Sequence, residues 1–485
     1  MCIFKTKLQS LMALFEITEE QILNRISFEN PWWKYGSIDK FYSSMKKRLY
    51  FDEFYPLILD NSVKRAAVLM GPRRVGKTVM IFHSIQALIN SGVNPKKIFY
   101  LSIETPIFNG IGIESLFNFC RKAVGKEDDI DGYYIFFDEI QYLKNWEIHL
   151  KSLVDSYHRS KFIVSGSAAA ALKLKSIESG AGRFTDFTLP PLTFHEFIHL
   201  KGLESLIIPK IKNWYGQDLE FFDTIDINEL NDHFVDYINY GGYPEVSLSK
   251  DIQADPGRYI KSDIVDKVLL RDLPSLYGIQ DVQELNSLFT TIAFNSGNEF
   301  SYDSLSITSG VSKSTIKKYI QYLEAAFLIK VVNRIDQNGK KFKRANYFKI
   351  YLTNPSLRSA LFSPINSTSS IMGNMVETAV YAQWFHRYWQ TPFYSRWKNG
   401  EVDIVGLKTS TLKPQWAVEV KWSNRYYEKP NELKSLSSFL IRNNLNKAIV
   451  TSIDITDQIK FDKYIFDYVP ASIYCYAIGK RTLEI

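Results

Sequence analysis

The chain has 485 residues, of which 45% are hydrophobic and 23% charged, a composition that excludes a disordered or collagen-like protein. No apolar stretch approaches the roughly 20 residues of a membrane helix. The first residues lack the apolar core and cleavage site of a signal peptide, so we expect a cytoplasmic protein without membrane contact. Three scattered cysteines argue against a disulfide framework or a zinc site. The net charge of +7 permits a polyanionic partner without requiring one.

The first motif follows a short apolar run, residues 66–70, that is typical of a buried parallel strand. Residues 71–78 then have the GxxxxGK[ST] pattern of a phosphate-binding loop, and a helix is predicted to follow at 79–90. Glycines let the backbone N–H groups turn toward phosphates. Lys77 is expected to reach the β- and γ-phosphates, and Thr78 to join the shell of Mg²⁺. The sequence therefore predicts that the chain binds ATP with Mg²⁺.

A second apolar strand, residues 133–137, ends in Asp138 and Glu139. Carboxylates at the carboxyl ends of parallel strands lie where ligands bind in open α/β sheets. We expect Asp138 to hold Mg²⁺ through water and Glu139 to polarise the attacking water. A third strand ends in Ser165 and Ser167, whose hydroxyls can reach the γ-phosphate or the water, although a simple strand-to-helix turn is the alternative. The predicted nucleotide-binding residues are Gly71, Pro72, Arg73, Arg74, Val75, Gly76, Lys77, Thr78, Val79, Ser165 and Ser167.

Two arginines are candidates for sensing the nucleotide. Arg183 follows a glycine-rich turn and is a candidate arginine finger, acting in cis or from a neighbouring subunit of a homo-oligomer. A plain surface arginine is the alternative. Arg271 ends a stretch with helical spacing, where it is either a second sensor or part of a structural ion pair.

Residues 281–352 are predicted to form a winged helix. The expected elements are helices at 282–295, 302–308 and 313–326 and a hairpin that turns at 337–339. The third helix carries Lys313 and Lys317 near its start, where recognition helices contact base edges.

The returning strand of this hairpin begins with the densest positive run of the chain, residues 340–344, here called the basic arm. Its cations are Lys340, Lys341, Lys343 and Arg344. Four cations with one aromatic residue suit a phosphate backbone, so nucleic acid, first of all DNA, is the expected partner. A solvated hairpin on a winged helix that only packs is the alternative.

The C-terminal region carries the pattern of PD-(D/E)xK nucleases. A predicted helix contains Glu377, the second strand after it Asp403, and the following strand Glu419 and Lys421. Period-two alternation places Glu419 and Lys421 on one face of their strand. Asp403 and Glu419 offer hard oxygen ligands for Mg²⁺ or Mn²⁺, which lowers the pKa of a bound water. Lys421 is expected to orient that water, and Glu377 to complete the site. An inactive nuclease-like fold, or a strand with surface charges, stays open as an alternative.

Several of these motifs together resemble one known family. They are MGPRRVGKT at 70–78, FFDEIQ at 136–141, SGS at 165–167 and LPPLTFHEF at 189–197. The chain is similar here to the prokaryotic AAA-type ATPases that carry a C-terminal domain called DUF4143. The resemblance runs from about residue 32 to the C-terminal region. It implies an ASCE-type P-loop core, a helical lid, a winged helix and a restriction-endonuclease-like C-terminal domain.

We therefore predict an α/β multidomain fold with five segments. They are an N-terminal helical lead (1–59), an AAA-type ATPase core (60–205), a helical lid (206–280), a winged helix (281–352) and a restriction-endonuclease-like domain (353–485). The expected function is ATP hydrolysis that gates or powers a metal-dependent nuclease. The alternative is an ATP-switched module that binds DNA or a protein without cleavage.

Overall fold

A computed structural model of the chain describes residues 17–126, 132–166, 182–214, 217–340, 346–386 and 391–483. The chain forms two compact units. The first unit comprises Met1–Met70 and Gly76–Leu189, and the second comprises Gly71–Val75 and Pro190–Ile485. Within the described ranges no helix has the length and apolarity needed to cross a membrane.

The first unit contains a parallel sheet of five strands in the order β2-β3-β4-β1-β5. Its strands are β1 (Ala66–Met70), β2 (Ile98–Ser102), β3 (Tyr134–Asp138), β4 (Lys161–Gly166) and β5 (Phe184–Thr188). Strands β1 and β4 are buried along their whole length. This burial on both faces explains why they read as continuous apolar runs in the sequence.

The helices of the first unit include the predicted N-terminal lead. Their bounds are Glu19–Glu29, Trp32–Tyr35, Lys40–Ser43, Phe51–Leu59, Lys77–Asn90, Ile113–Ala123 and Trp146–Ser156, with short 3₁₀ turns at Pro95–Lys97, Pro106–Phe108 and Ile140–Tyr142. The indole N–H groups of Trp32 and Trp33 each donate to the Ile98 carbonyl at 2.9 Å. Asn30 bonds both the N–H and the carbonyl of Tyr100. The lead is therefore attached to the sheet through β2.

The second unit begins with helices and a two-stranded hairpin. The helices are Phe194–Lys201, Ile227–Tyr240, Pro244–Leu248, Lys250–Gln253 and Leu273–Tyr277, with a 3₁₀ turn at Glu204–Leu206 and wider π-type turns at Gly257–Asp266 and Val268–Asp272. The hairpin pairs β6 (Ile207–Trp214) with β7 (Gln217–Thr224). The prediction of a mostly helical segment is therefore wrong at these two strands. The sequence has a glycine, Gly216, between the two strand segments, a local signal that the helical interpretation overlooked.

A second, mixed sheet of nine strands dominates the rest of this unit, in the order β15-β16-β14-β13-β12-β11-β9-β10-β8. The strands are β8 (Glu299–Ser301), β9 (Ile329–Ile335), β10 (Tyr347–Leu352), β11 (Phe393–Trp397), β12 (Gly400–Leu407), β13 (Pro414–Glu419), β14 (Lys447–Ser452), β15 (Asp457–Phe461) and β16 (Tyr464–Pro470). Strand β9 pairs in parallel with β11 through Arg334 opposite Tyr394 and Ile335 opposite Ser395. The sheet therefore runs without a break from the predicted winged helix into the predicted nuclease-like region.

The part of the chain that forms this sheet also contains helices. They are Val282–Phe294, Tyr302–Ser309, Lys313–Ala325, Ser356–Leu361, Met372–Trp384, Arg425–Glu428, Lys434–Arg442 and Ala471–Arg481, with a 3₁₀ turn at Pro430–Glu432. Helix Met372–Trp384 is buried on nearly all sides in an apolar core of the unit. Within that core the rings of Tyr351 and Tyr381 stack with centroids 4.0 Å apart. The Tyr381 hydroxyl donates to the Asp403 carbonyl at 2.7 Å, which ties this helix to β12.

Candidate functional site

The predicted phosphate loop leads directly into a helix. Gly76 precedes helix Lys77–Asn90 with φ of 94°, a left-handed conformation that glycine adopts without strain. Its carbonyl accepts from the Met80 N–H at 2.9 Å, which starts the helical ladder. Lys77 and Thr78 therefore occupy the first turn, where free N–H groups and the helix dipole favour an anion. Val79 follows them in the same turn.

Asp138 is the centre of a hydrogen-bond cluster in the first unit. Its Oδ2 accepts from the Thr78 hydroxyl at 2.7 Å and from the Tyr100 hydroxyl at 3.1 Å. Its Oδ1 accepts from the Ser165 hydroxyl and from the Glu139 N–H, the latter at 3.0 Å. The carboxylate is only 2% exposed. The structure thus joins the two residues that were predicted to share Mg²⁺, Thr78 and Asp138.

Tyr100 and Gln141 belong to this cluster but were not predicted, and Ser165 acts differently from the expectation. Burial and the Asp138 charge raise the pKa of Tyr100 well above its usual value, so its hydroxyl stays a donor to the carboxylate. The Gln141 amide donates to Glu139 Oε2, which holds that side chain from two residues downstream. Ser165 is fully buried on Asp138, so it orients the carboxylate rather than presenting its hydroxyl openly to a phosphate. Ser167 lies outside the described residues.

The remaining loop residues belong by their contacts to the second unit. Arg73 makes a bidentate ion pair with Asp272, with both nitrogen–oxygen distances at 2.8 Å. Arg74 contacts Asp263 at 2.8 Å and Glu245 at 3.1 Å, and its φ of 65° is left-handed. These two arginine side chains are therefore engaged by carboxylates, and nucleotide binding by them would use their backbone N–H groups. Gly71, Pro72 and Val75 are buried.

Arg183 does not lie where an arginine finger in cis would act. Its carbonyl accepts from the Ala66 N–H at 2.9 Å, and Phe184 pairs with Ala66. Arg183 is thus at the amino-terminal edge of the parallel sheet, one strand length, roughly 15 Å, from the carboxyl edge that holds Asp138. Its guanidinium pairs with Asp155 at 2.5 Å. This geometry corrects the in-cis alternative, because the sheet separates the two edges. A role in a neighbouring subunit stays a prediction.

The helices and strands expected of the winged helix are present in the predicted order, and the assignment itself stays a prediction. Lys313 and Lys317 are exposed at the start of helix Lys313–Ala325. Lys313 is ion-paired with Asp303, and the Lys317 ammonium lies 5.1 Å from the centre of the Tyr302 ring. Both cations are therefore on the surface but already in contact with neighbours.

Only the first cation of the basic arm is described. Lys340 is exposed, whereas Lys341, Lys343 and Arg344 lie outside the described residues. The turn before the arm is attached to the C-terminal region, because the Gln337 amide donates to the Ser438 hydroxyl and the Asn443 amide donates to the Gln337 carbonyl. The predicted hairpin turn is therefore docked within its own unit.

The predicted nuclease residues do converge. The Lys421 ammonium lies 3.1 Å from Asp403 Oδ2 and 2.8 Å from Glu419 Oε1. Asp403 Oδ2 also accepts from the Val420 N–H at 2.8 Å. Glu419 Oε2 is buried and has no hydrogen-bond partner among the described residues. A buried carboxylate oxygen without a donor is costly, so this oxygen is able to accept a further hydrogen bond or to ligate a cation.

The electrostatics of these groups differ from one carboxylate to the other. Burial raises the pKa of Glu419 to about 7, and the nearby Asp403 charge adds to this effect. Burial also acts on Asp403, but the Lys421 and Lys349 ammonium groups outweigh it and lower the pKa of this carboxyl. The two carboxylates raise the pKa of Lys421 against its burial. Asp403 therefore stays charged to lower pH than Glu419.

Glu377 joins the cluster in an unexpected way. Its Oε1 accepts from the Lys349 ammonium at 2.8 Å and from the Tyr351 hydroxyl at 2.6 Å. The same ammonium lies 2.6 Å from Glu401 Oε1. Within the described ranges no group of three or more His, Cys, Asp or Glu side chains is arranged to hold a metal. The Glu377 carboxylate is thus paired with the Lys349 ammonium, and the expectation that Glu377 completes the site stays a prediction.

Comparison with protein families identifies two segments. Residues 63–198 match the model of the AAA domain, and residues 231–369 match a domain of unknown function, DUF8612. The expectation of an AAA-type ATPase is thereby confirmed for the first segment. The second match is to DUF8612 and not to the expected DUF4143, so the nuclease part of the resemblance stays a prediction.

Relatives and solved structures cover most of the chain at low identity. An uncharacterized protein of Methanocaldococcus jannaschii is 25% identical over 402 residues, which are 81% of this chain and 83% of that protein. An uncharacterized protein of Haemophilus influenzae is 24% identical over 392 residues, which are 79% of this chain and 88% of that protein. The Walker-type ATPase of Pyrococcus abyssi aligns with a TM-score of 0.39 and 15% identity, over 64% of this chain and 94% of that chain. The ORC2 protein of Aeropyrum pernix aligns with a TM-score of 0.36 and 12% identity, over 68% of this chain and 91% of that chain.

Proposed function

We propose that the protein is a Mg²⁺-dependent ATPase that acts on nucleic acid and cleaves it at a metal-dependent site in its second unit, under the control of ATP. The ATPase part rests on the AAA domain and the contact between Thr78 and Asp138. The observation that carries the nuclease part is the buried, unpartnered Glu419 Oε2 beside Asp403 and Lys421.

The ATPase chemistry follows from the first unit. Thr78 and Asp138 would hold Mg²⁺, which supplies charge neutralisation at the phosphates. Lys77 at the helix start binds the β- and γ-phosphates. Glu139, held by the Gln141 amide, accepts a hydrogen bond from the attacking water and orients it in line.

The donor set of the second site fits a divalent cation. Asp403 and Glu419 present hard oxygen ligands, and Mg²⁺ in nucleotide-processing sites is commonly bound through one or two carboxylates plus waters and phosphate oxygens. Such an ion would give Glu419 Oε2 the partner that it lacks, and it would lower the pKa of a bound water. Lys421 then neutralises charge on the phosphate that is attacked.

One observation favours a second candidate function. The Lys421 ammonium already bridges Asp403 and Glu419, so the charges of the site are partly neutralised without any metal. A fold of this type can persist as a scaffold for binding. The second candidate is therefore an ATP-switched module in which the predicted winged helix binds DNA or a protein and the nuclease-like region does not cleave.

The two candidate functions differ in whether the second unit binds a metal and cleaves nucleic acid. Single- and double-stranded DNA and RNA are incubated with the wild-type protein and Mg²⁺ or Mn²⁺, with and without ATP. Glu419→Gln and Asp403→Ala should abolish cleavage, whereas Glu428→Gln, an exposed carboxylate of the same region, should leave it unchanged. Absence of cleavage by the wild type under every condition, with ATP still hydrolysed, would decide for the binding module.

The ATPase roles are tested separately. Lys77→Ala should abolish nucleotide binding, and Glu139→Gln should retain binding while blocking turnover, because only the latter group acts in the chemical step. Equilibrium binding of a fluorescent ATP analogue and steady-state phosphate release measure the two effects. Continued turnover by either variant would remove the role assigned to that residue.

A further inference from the structure

We propose that Lys349, on β10 of the predicted winged helix, is a positioning residue of the nucleic-acid-cleaving site and fixes Glu377 and Glu401 beside Asp403. This inference rests on the proposed nuclease function and adds a residue that belongs to none of the motifs in the sequence. The winged-helix hairpin thereby becomes part of the cleavage site instead of a separate DNA-binding element.

The contacts of Lys349 are those of a built site rather than of a surface lysine. Its side chain is 5% exposed, and its ammonium lies 2.8 Å from Glu377 Oε1 and 2.6 Å from Glu401 Oε1. These carboxylates come from different elements, helix Met372–Trp384 and strand β12. One cation therefore connects three elements of the unit at a single point.

The neighbouring residue on the same face of β10 supports this arrangement. Tyr351 is two positions from Lys349, so both side chains point to the same side of the sheet. The Tyr351 hydroxyl donates to the same Glu377 oxygen at 2.6 Å. Residue Tyr351 is fully buried and stacks on Tyr381, whose hydroxyl donates to the Asp403 carbonyl. A continuous chain of contacts thus runs from β10 to the backbone of the metal-ligand candidate.

The charges explain why a buried lysine is needed at this point. Asp403 and Glu419 are both buried, and the half-buried Glu377 adds a third carboxylate, so Lys421 alone would leave an uncompensated excess of negative charge. Buried charges are tolerated only when they are paired and hydrogen-bonded. Lys349 pairs Glu377 and thereby withdraws it from metal binding, so that the cation would be held by Asp403 and Glu419. Its role is to set which carboxylates face the metal.

The test compares Lys349→Met with the wild type, because methionine keeps the length and removes the charge. Mn²⁺ binding is measured by electron paramagnetic resonance without nucleotide, in a background carrying Asp138→Asn to eliminate the ATP-site metal. The reference for this measurement is Asp138→Asn alone, because that change by itself destabilises the first unit. Loss of an outer partner of a metal site typically costs about 10–100-fold in metal affinity or activity. We expect a weakening of Mn²⁺ binding in that range, and a similar loss of cleavage in the otherwise wild-type protein.

Two further variants keep the test decisive. Lys330→Met changes an exposed lysine on the adjacent strand β9 and should leave both readouts unchanged. Tyr351→Phe removes only the hydroxyl that donates to Glu377, and it should weaken Mn²⁺ binding in the same direction, by about 10-fold. If Lys349→Met does not fold, as judged by its thermal unfolding and ATP binding, Tyr351→Phe carries the test.

The outcomes separate this inference from the function on which it rests. A wild-type protein that binds no Mn²⁺ outside the ATP site and cleaves nothing would overturn the nuclease proposal and this inference with it. A wild type that binds and cleaves, together with folded Lys349→Met and Tyr351→Phe variants that match it, would overturn the positioning role alone. Weakened Mn²⁺ binding in the two variants, with unchanged ATP binding and an unaffected Lys330→Met control, is the supporting result.

Discussion

Replacing Asp138 by asparagine should destabilise the first unit as well as stop ATP hydrolysis. The carboxylate accepts four hydrogen bonds, two at each oxygen. An amide group has one accepting oxygen and one donating NH₂ group. Whichever way the amide is oriented, two of the four donors must therefore meet another donor.

The neighbouring donors determine how the asparagine amide is oriented and how much free energy of unfolding is lost. The Glu139 N–H is a backbone donor that cannot rotate, so the amide oxygen should stay on the side of Glu139 and Ser165. The NH₂ group then faces the hydroxyls of Thr78 and Tyr100. A buried donor without an acceptor costs about 1–3 kcal/mol, and two such donors give a loss of about 2–4 kcal/mol after the hydroxyls have turned. Tyr100→Phe removes a single donor and should cost only about 1–2 kcal/mol, because the carboxylate keeps three partners.

Denaturant unfolding without nucleotide measures these differences, with Asp52→Asn, an exposed carboxylate of the same unit, as the matched control. The expected order of destabilisation is Asp138→Asn, then Tyr100→Phe, then the control. Phosphate release should be abolished in Asp138→Asn and retained in the control. If Asp138→Asn were no less stable than Tyr100→Phe, the four-donor description of this carboxylate would be wrong.

Three further results are expected from the second unit. Changing all four cations of the basic arm to alanine should weaken DNA binding and flatten its dependence on salt concentration. An unchanged salt slope in a binding titration would favour the alternative that the arm is a solvated hairpin. Asp272→Ala should lower the free energy of unfolding by about 3–5 kcal/mol, since it leaves the mostly buried Arg73 without its bidentate partner. Denaturant unfolding measures this loss, with Asp251→Ala, a change at an exposed carboxylate, as the control. Gly241→Ala should impair folding, because a Cβ there would overlap the Tyr237 backbone and ring, and soluble yield and melting temperature would reveal it.

The sequence was sufficient for residues whose role depends on their position along one strand or loop. The phosphate loop, Thr78 and Asp138 follow from an apolar run that ends in a polar residue, and in a parallel sheet such ends meet at one edge. The same logic located Asp403, Glu419 and Lys421, because period-two alternation fixes which side chains share a face. Local patterns therefore predicted the first contacts of both sites.

Residues that enter a site from distant segments could not be found in this way. Lys349 lies 28 residues from Glu377, and only the pairing of β9 with β11 brings its strand into the same sheet as Asp403. Arg183 shows the converse case, since its glycine-rich turn suggested a finger in cis, whereas the register of β5 places it at the edge of the sheet opposite to Asp138. Strand order and register are long-range properties that depend on packing, and a single sequence does not display them.

The parallel pairing of β9 with β11 also bears on how the two predicted domains can work. An independent DNA-binding wing would need a free hairpin, but this hairpin shares a sheet with β11 and its turn bonds Ser438 and Asn443. Lys349 also pairs with Glu401 on β12 of the same sheet and with Glu377 on helix Met372–Trp384. A movement of the hairpin relative to β12 would have to break buried ion pairs as well as strand pairing, at a cost of several kcal/mol. Under the function proposed above, control of cleavage by ATP would therefore have to leave the hairpin in place beside the carboxylates, and it would act on the sheet as one body or on access to it.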